Sequence, residues 1–173
     1  MAHRNVHYEA AFEDYLRRRG WPYVAVDEAK KAAFSGADIK NFDFLVYSSR
    51  GANLLVDVKG RKFPDPARSG SRGPARAWEN WVTRDDIEGL AQWEQVFGEG
   101  FMGMLVFAYW LQGPPERSPL PEVHMFRGRC YAFAAIGLGA YSAAARPRSA
   151  KWRTLTMPAR QFVESVRDIA EFL

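Results

Sequence analysis

The chain has 173 residues, 47 % of them apolar, which suffices for one sizeable core and about one domain. Lys and Arg outnumber Asp and Glu by 24 to 20, a net charge of +4 that points mildly to a polyanionic partner. The lone Cys130 excludes an intramolecular disulfide and a multi-cysteine zinc site, so a reducing, cytoplasmic setting is expected.

In chain order, Val6 to Arg19 places Tyr8, Phe12, Tyr15 and Leu16 on one face, with three arginines in its last turn and Gly20 beyond. That pattern predicts an amphipathic helix. Trp21 to Val26 reads as a short strand and Glu28 to Ala33 as a helical turn. Asn41 to Ser48 and Asn53 to Arg61 read as two strands of a hairpin around Ser48-Ser49-Arg50-Gly51. Prolines and glycines make 61–84 a long loop, and Asp85 to Phe97 has helical spacing with Gly98 as its stop. Gly103 to Leu111 is an apolar strand. Val123 to Phe126 and Arg129 to Ile136 form a second hairpin around Gly128, and Thr156 and Pro158 open a last helix reaching Leu173. The longest apolar tracts, Met102 to Leu111 and Cys130 to Tyr141, fall short of the roughly 18 to 20 residues of a membrane span, so no membrane partner is expected. The order predicts an α/β fold, a single domain over 1–173 around one mixed sheet.

The chemistry concentrates on the first hairpin. Strand side chains alternate, so Asp57 and Lys59 share one face while Val56 and Val58 take the other. The Leu54-Leu55-Val56 run beside them reads as a central strand, where a charge is costly unless paired or metal-bound. Asp43, between Phe42 and Phe44, poses the same problem on the strand before. Two carboxylates about 4 Å apart repel by roughly 4 kcal/mol at an effective dielectric of 20, a conflict that a divalent cation resolves. Oxygen ligands suit Mg2+ or Mn2+. An isolated Asp-x-Lys is more often an exposed ion pair on an edge strand; the hairpin, Asp43 and the acidic helix upstream shift the balance toward a site. On that helix Glu9 and Glu13 lie four residues apart. Either is a candidate polar site residue, against the simpler account in which Glu9 favours the helix N-terminus and Glu13 pairs with Arg17.

The ordered set Glu9, Asp43 and Asp57-Val58-Lys59 resembles the active-site pattern of the PD-(D/E)xK nucleases, and most closely archaeal-type Holliday junction resolvases. A helix with its Glu ends at Gly20 before the first strand. The Asp then opens the hairpin, and the acidic-x-Lys follows on its second strand. The resemblance covers about 7–110; the loop at 61–84 is longer than a minimal resolvase needs, and 113–173 reads as a C-terminal hairpin and helix extension. It implies a restriction-endonuclease-like core with helices flanking the sheet, and a Mg2+- or Mn2+-dependent endonuclease acting on DNA, with branched or repair intermediates as candidate substrates. Asp43, Asp57 and Glu9 would be metal ligands, Lys59 the charge stabiliser and Gln92 a further polar site residue, and a homodimer is compatible with it. The alternative is a catalytically inactive nucleic-acid-binding or protein-interaction module on the same fold.

The loop carries Arg61, Lys62, Arg68, Arg72, Arg76 and Arg84 interleaved with Trp78 and Trp81, residues suited to clamping a phosphate backbone and stacking on unpaired bases. Equally, its tryptophans can pack back onto the domain. Arg146, Arg148, Lys151 and Arg153 form a second basic patch or a solvated linker. His7 and His124 are weak zinc candidates without a cysteine set, and Gly137-Leu138-Gly139-Ala140 is too short for a phosphate loop.

Overall fold

The structure, a computed structural model, describes residues 6–26, 40–65, 67–68 and 78–173. The elements are α1 (Val6–Arg19), β1 (Tyr23–Ala25), β2 (Phe44–Val46), β3 (Asn53–Phe63), β4 (Val82–Thr83), α2 (Arg84–Phe97) and β5 (Phe101–Leu111). They continue as β6 (His124–Phe126), β7 (Arg129–Gly137), α3 (Leu138–Ala144), β8 (Arg146–Ser149), β9 (Thr154–Thr156), α4 (Ala159–Ser165) and β10 (Arg167–Asp168), and a 3-10 turn (Ile169–Phe172) follows.

Among the described residues, a seven-stranded sheet runs in the order β1-β2-β3-β5-β7-β10, with β6 paired to β7. β3 and β5 pair in parallel from Asn53↔Phe101 to Phe63↔Leu111, joined by a crossover through α2, and the other pairs are antiparallel. Covered on both faces, these central strands are apolar on both. Leu54, Val56 and Val58 of β3, with Met104, Val106 and Ala108 of β5, pack under Tyr8, Phe12 and Leu16 of α1. Leu55 and Phe63 of β3, with Leu105, Phe107 and Tyr109 of β5, pack under Leu90 of α2 and under Leu138, Tyr141 and Phe162. Asp57, Lys59 and Arg61 therefore interrupt the apolar stripe on the α2 side. The mixed α/β sheet flanked by helices is the architecture that the sequence predicts. No described helix is long and apolar enough to cross a membrane.

The structure differs from expectation at several elements. β3 extends to Phe63, and Val82–Thr83 is a strand from which α2 starts at Arg84, so the loop is shorter at both ends than 61–84. Arg146–Ser149 is not a linker but a strand in a second sheet, ordered β4-β9-β8. Gly137-Leu138-Gly139-Ala140 leads into α3. The expected last helix is broken: α4 stops at Ser165 because Arg167 and Asp168 pair with Ala135 and Ala134 of β7. The C-terminal hairpin β6–β7 is likewise built into the main sheet beside β5. The helical turn expected over Glu28 to Ala33 lies outside the described residues.

Candidate active site

β2 begins only at Phe44, opposite Val56, while β3 runs on to Phe63. Asp43 lies just before β2 rather than inside a strand, and it continues the ladder. Its N–H donates to the Val56 carbonyl at 2.8 Å, and its Oδ2 accepts the Val58 N–H at 2.7 Å. The half-buried carboxylate thus stands in for the missing β2 neighbour at the point where Asp57 begins the polar stretch of β3.

Lys59 Nζ lies 2.9 Å from Asp57 Oδ2 and 3.0 Å from Oδ1 of Asp86, a residue in the first turn of α2. Both aspartates are buried, at 6 % and 4 % exposure. Asp86 has two tasks. Its Oδ2 accepts the Thr83 N–H at 2.7 Å while the Thr83 hydroxyl accepts the Asp86 N–H at 3.1 Å, a capping box that starts α2. Its Oδ1 takes Lys59 and also the ammonium of Lys40. Lys40 gets there because α2 has no side chain at Gly89: a Cβ there would stand 2.5 Å from the Lys40 carbonyl oxygen. The second sheet holds the start of α2 in place through β4, which pairs with β9, and through the Arg84 N–H on the Arg153 carbonyl.

The electrostatics separate the two aspartates. Burial pushes the Asp86 carboxyl up, but Lys59, and Lys40 and Thr83 through charge and hydrogen bonds, outweigh burial and hold it below the ordinary carboxylate range. Burial raises Asp57 to about 7; Lys59 opposes the rise, whereas Asp43 and Asp86 add to it. Lys59 itself is raised, because Asp57 and Asp86 together outweigh its own desolvation. The two ends of the Asp57–Lys59 pair thus disagree. The geometry explains why: the lysine has two anions within 3.0 Å, while the aspartate has one cation and two anions around it. The lysine is firmly ionised, and Asp57 is the strained member.

A divalent cation fits that strain. No described group of three or more His, Cys, Asp or Glu side chains could form a metal cage, but Mg2+ is typically held by one or two carboxylates, with waters and substrate phosphate completing its shell. Asp57, and Asp43, whose Oδ2 accepts the N–H of the residue that follows Asp57, are the two carboxylates that could supply that number.

The remaining expected residues are distributed as follows. Glu9 lies on α1, against the opposite sheet face, half-buried beside Tyr8; the Tyr8 ring packs where a Cβ of Gly60 would be. Glu13 takes its simpler role, accepting from the Tyr23 hydroxyl at 2.9 Å and pairing with Arg17 at 3.3 Å. Gln92 is exposed on α2, off the buried face that carries Asp86, Gly89 and Leu90. Arg61 shares the face of Lys59 and lies over Trp81, whereas Lys62 points to the other face, 5.3 Å from the Trp110 ring centroid. Trp78 packs back onto Phe63, Tyr109 and Phe162. Arg68 and Arg84 are exposed, and Arg72 and Arg76 lie outside the described residues. His7 shares a hydrogen bond with Tyr131 and His124 with Asp14, so the two histidines form no common site. Sequence reasoning missed Lys40 and Asp86. For Asp86 the signal was present: Thr83-Arg84-Asp85-Asp86 has the spacing of a capping box.

No family model matches the sequence, and no curated protein matches it. Among solved structures, the fold is similar to that of Archaeoglobus fulgidus Hjc, a Holliday junction resolvase from an archaeal hyperthermophile. That likeness covers 96 % of this chain and 97 % of the other, with a TM-score of 0.52 at 14 % identity. It extends well past 7–110, in keeping with a C-terminal part that completes the sheet.

Proposed function

We propose that this chain is a divalent-metal-dependent nuclease acting on branched DNA. The observation that carries the reading is the ammonium of Lys59, held between Asp57 and Asp86 on the central strand of a sheet that shares its fold with a resolvase. Asp57 and Asp43 would hold Mg2+ or Mn2+; Glu9, the further candidate ligand, would have to reach them from α1 around the edge of β3 left open where the pairing with β2 stops at Val56. The cation would polarise the scissile phosphate and make an attacking water more acidic. Lys59 meets the charge that develops on the phosphate, and it does so without reorganising because Asp86 fixes it from the second side. Asp86 is a positioning residue in this scheme, with Lys59 and Lys40 together holding it ionised. Arg61, Arg68 and Arg84 are candidate contacts to the phosphate backbone, and a copy of the chain on a symmetric junction would make a homodimer useful.

The test uses labelled four-way junction, linear duplex and single-stranded DNA, with Mg2+, with Mn2+ and with EDTA. The wild type should cleave the junction only with metal. Lys59→Ala should lose cleavage by 100-fold or more, on the order of other charge-stabilising groups, while it keeps junction binding and the wild-type circular dichroism spectrum. Asp86→Asn, which preserves the helix cap but not the charge, should lower kcat and leave KM near its wild-type value. A folded wild type that binds DNA and cleaves none of the three substrates with either metal would instead establish a non-catalytic binding module.

A further inference from the structure

We infer that a cavity beside β3 is a subsite for one unpaired nucleobase, stacked on Trp81. The inference takes its nucleic-acid ligand from the nuclease reading and adds a binding site to it. The cavity has a volume of about 410 Å³, with Trp78, Trp81, Glu79, Arg148 and Met157 among its walls, a size in the range of small-molecule pockets.

Its walls are fixed before anything binds. The Tyr109 hydroxyl donates to the Glu79 carbonyl at 2.9 Å and the Tyr141 hydroxyl to the Asn80 carbonyl at 2.6 Å. The buried Asn80 amide donates to the Met157 carbonyl at 3.0 Å, and its oxygen accepts the Met157 N–H at 2.8 Å. Trp78 is wedged against Phe63, Tyr109 and Phe162. A preformed site of this kind adds little ordering cost on binding.

Trp81, by contrast, is only half-buried and has two cations near its ring. The Arg61 guanidinium lies 4.1 Å from the ring centroid and is tied to the Gly60 and Trp81 carbonyls, so it stays in place. Arg148 lies 5.4 Å from the same centroid but is exposed, and it is the group that yields to a ligand. An aromatic face with arginines beside it suits a base of any identity. Glu79, whose charge acts on Arg61, disfavours a phosphate inside the cavity and offers an acceptor to a base amino group.

The position relates the cavity to the site. Asp57, Lys59 and Arg61 occupy alternate positions of one strand, about 6.7 Å apart along it, so Trp81 lies one side-chain step beyond Lys59. A strand whose scissile phosphate meets Lys59 brings a neighbouring nucleotide to Trp81. That nucleotide can enter only if its base is unpaired.

Fluorescence anisotropy in Ca2+ buffer tests this with two labelled duplexes that differ at one bulged position, a nucleotide in one and an abasic residue in the other. The wild type should bind the bulged nucleotide on the order of tenfold tighter, the contribution of one stacked base. Trp81→Ala should reduce that ratio to about one, Trp81→Phe should retain most of it, and Arg148→Ala, which removes the side chain that the base displaces, should not lower it. Trp81→Leu, which keeps apolar bulk against Arg61 without a ring, is read in the same way should Trp81→Ala not fold. A wild type with no preference, or a preference that survives both Trp81→Ala and Trp81→Leu, overturns the subsite. If that protein still cleaves DNA with Mg2+, the nuclease reading stands without it; a preference in a protein that cleaves nothing leaves the subsite and removes the nuclease.

Discussion

Asp57 occupies a position that a carboxylate tolerates poorly without a cation. In the unfolded chain it titrates near 3.8, whereas burial, with Asp43 and Asp86 behind it, brings the folded value to about 7 against the pull of Lys59. Between those values the folded, metal-free protein holds a proton that the unfolded chain has released. Stability therefore falls as pH rises through that window, by at most about 1.4 kcal/mol per pH unit, and this contribution is level above it. Asp57→Asn has no such proton and no such fall. In EDTA, the Tm of the wild type relative to the variant should drop between about pH 5 and about pH 8, as followed by thermal denaturation of both proteins. Mg2+ at the higher pH should restore the wild type and leave the variant unchanged. A Tm difference that is the same at both pH values would show that Asp57 is not the strained group.

At the scale of elements, the site depends on how closely the chain at Lys40 approaches α2. Replacing a glycine inside a helix by alanine ordinarily stabilises it by up to about 1 kcal/mol. At Gly89 the sign should reverse, because the new Cβ would meet the Lys40 carbonyl oxygen at 2.5 Å and that atom belongs to backbone. Gly89→Ala should destabilise by about 1 to 3 kcal/mol and weaken cleavage, since Lys40 and Asp43 lie on the displaced segment. Gly139→Ala in α3, with nothing within 4 Å, should do the reverse and stabilise. Urea denaturation of both variants checks the pair, and equal signs would sink the argument. The same locality explains what could be foreseen. The hairpin, Asp43 and the Asp57-Val58-Lys59 face follow from alternation and turn residues within 20 positions. Lys40 meeting Asp86 across 46 positions leaves no periodic trace. Phe162, Val166 and Ile169 fit a helical period, yet the pairing of Arg167 and Asp168 with β7 overrides it.

At the scale of the molecule, the sheet determines what can fold alone. The resemblance covers 7–110 and leaves 113–173 as an extension of the one expected domain, and β5 is paired with β7 of that extension from Met104↔Gly137 to Trp110↔Tyr131. After β10 the chain returns beneath the α1 face, where Ile169 and Leu173 are buried, and reaches the β2–β3 turn. There the Ser48 hydroxyl donates to the Phe172 carbonyl at 2.6 Å. One core therefore includes α1 together with Ile169, Phe172 and Leu173, although β1 and β10 stand at opposite edges of the sheet order. Ile169→Ala should cost about 2 to 5 kcal/mol, lower Tm by roughly 5 to 15 °C and keep a single transition, because no part of the sheet can melt separately. A fragment of residues 1–112 would expose the β5 edge that β7 pairs with, together with apolar surface that Leu138, Tyr141 and Phe162 cover on one face and Ile169 and Leu173 on the other. Its calorimetric scan should show no cooperative transition. A fragment that unfolds cooperatively, or a second transition in Ile169→Ala, would instead mean that residues 113–173 are a separable unit added to a self-sufficient core.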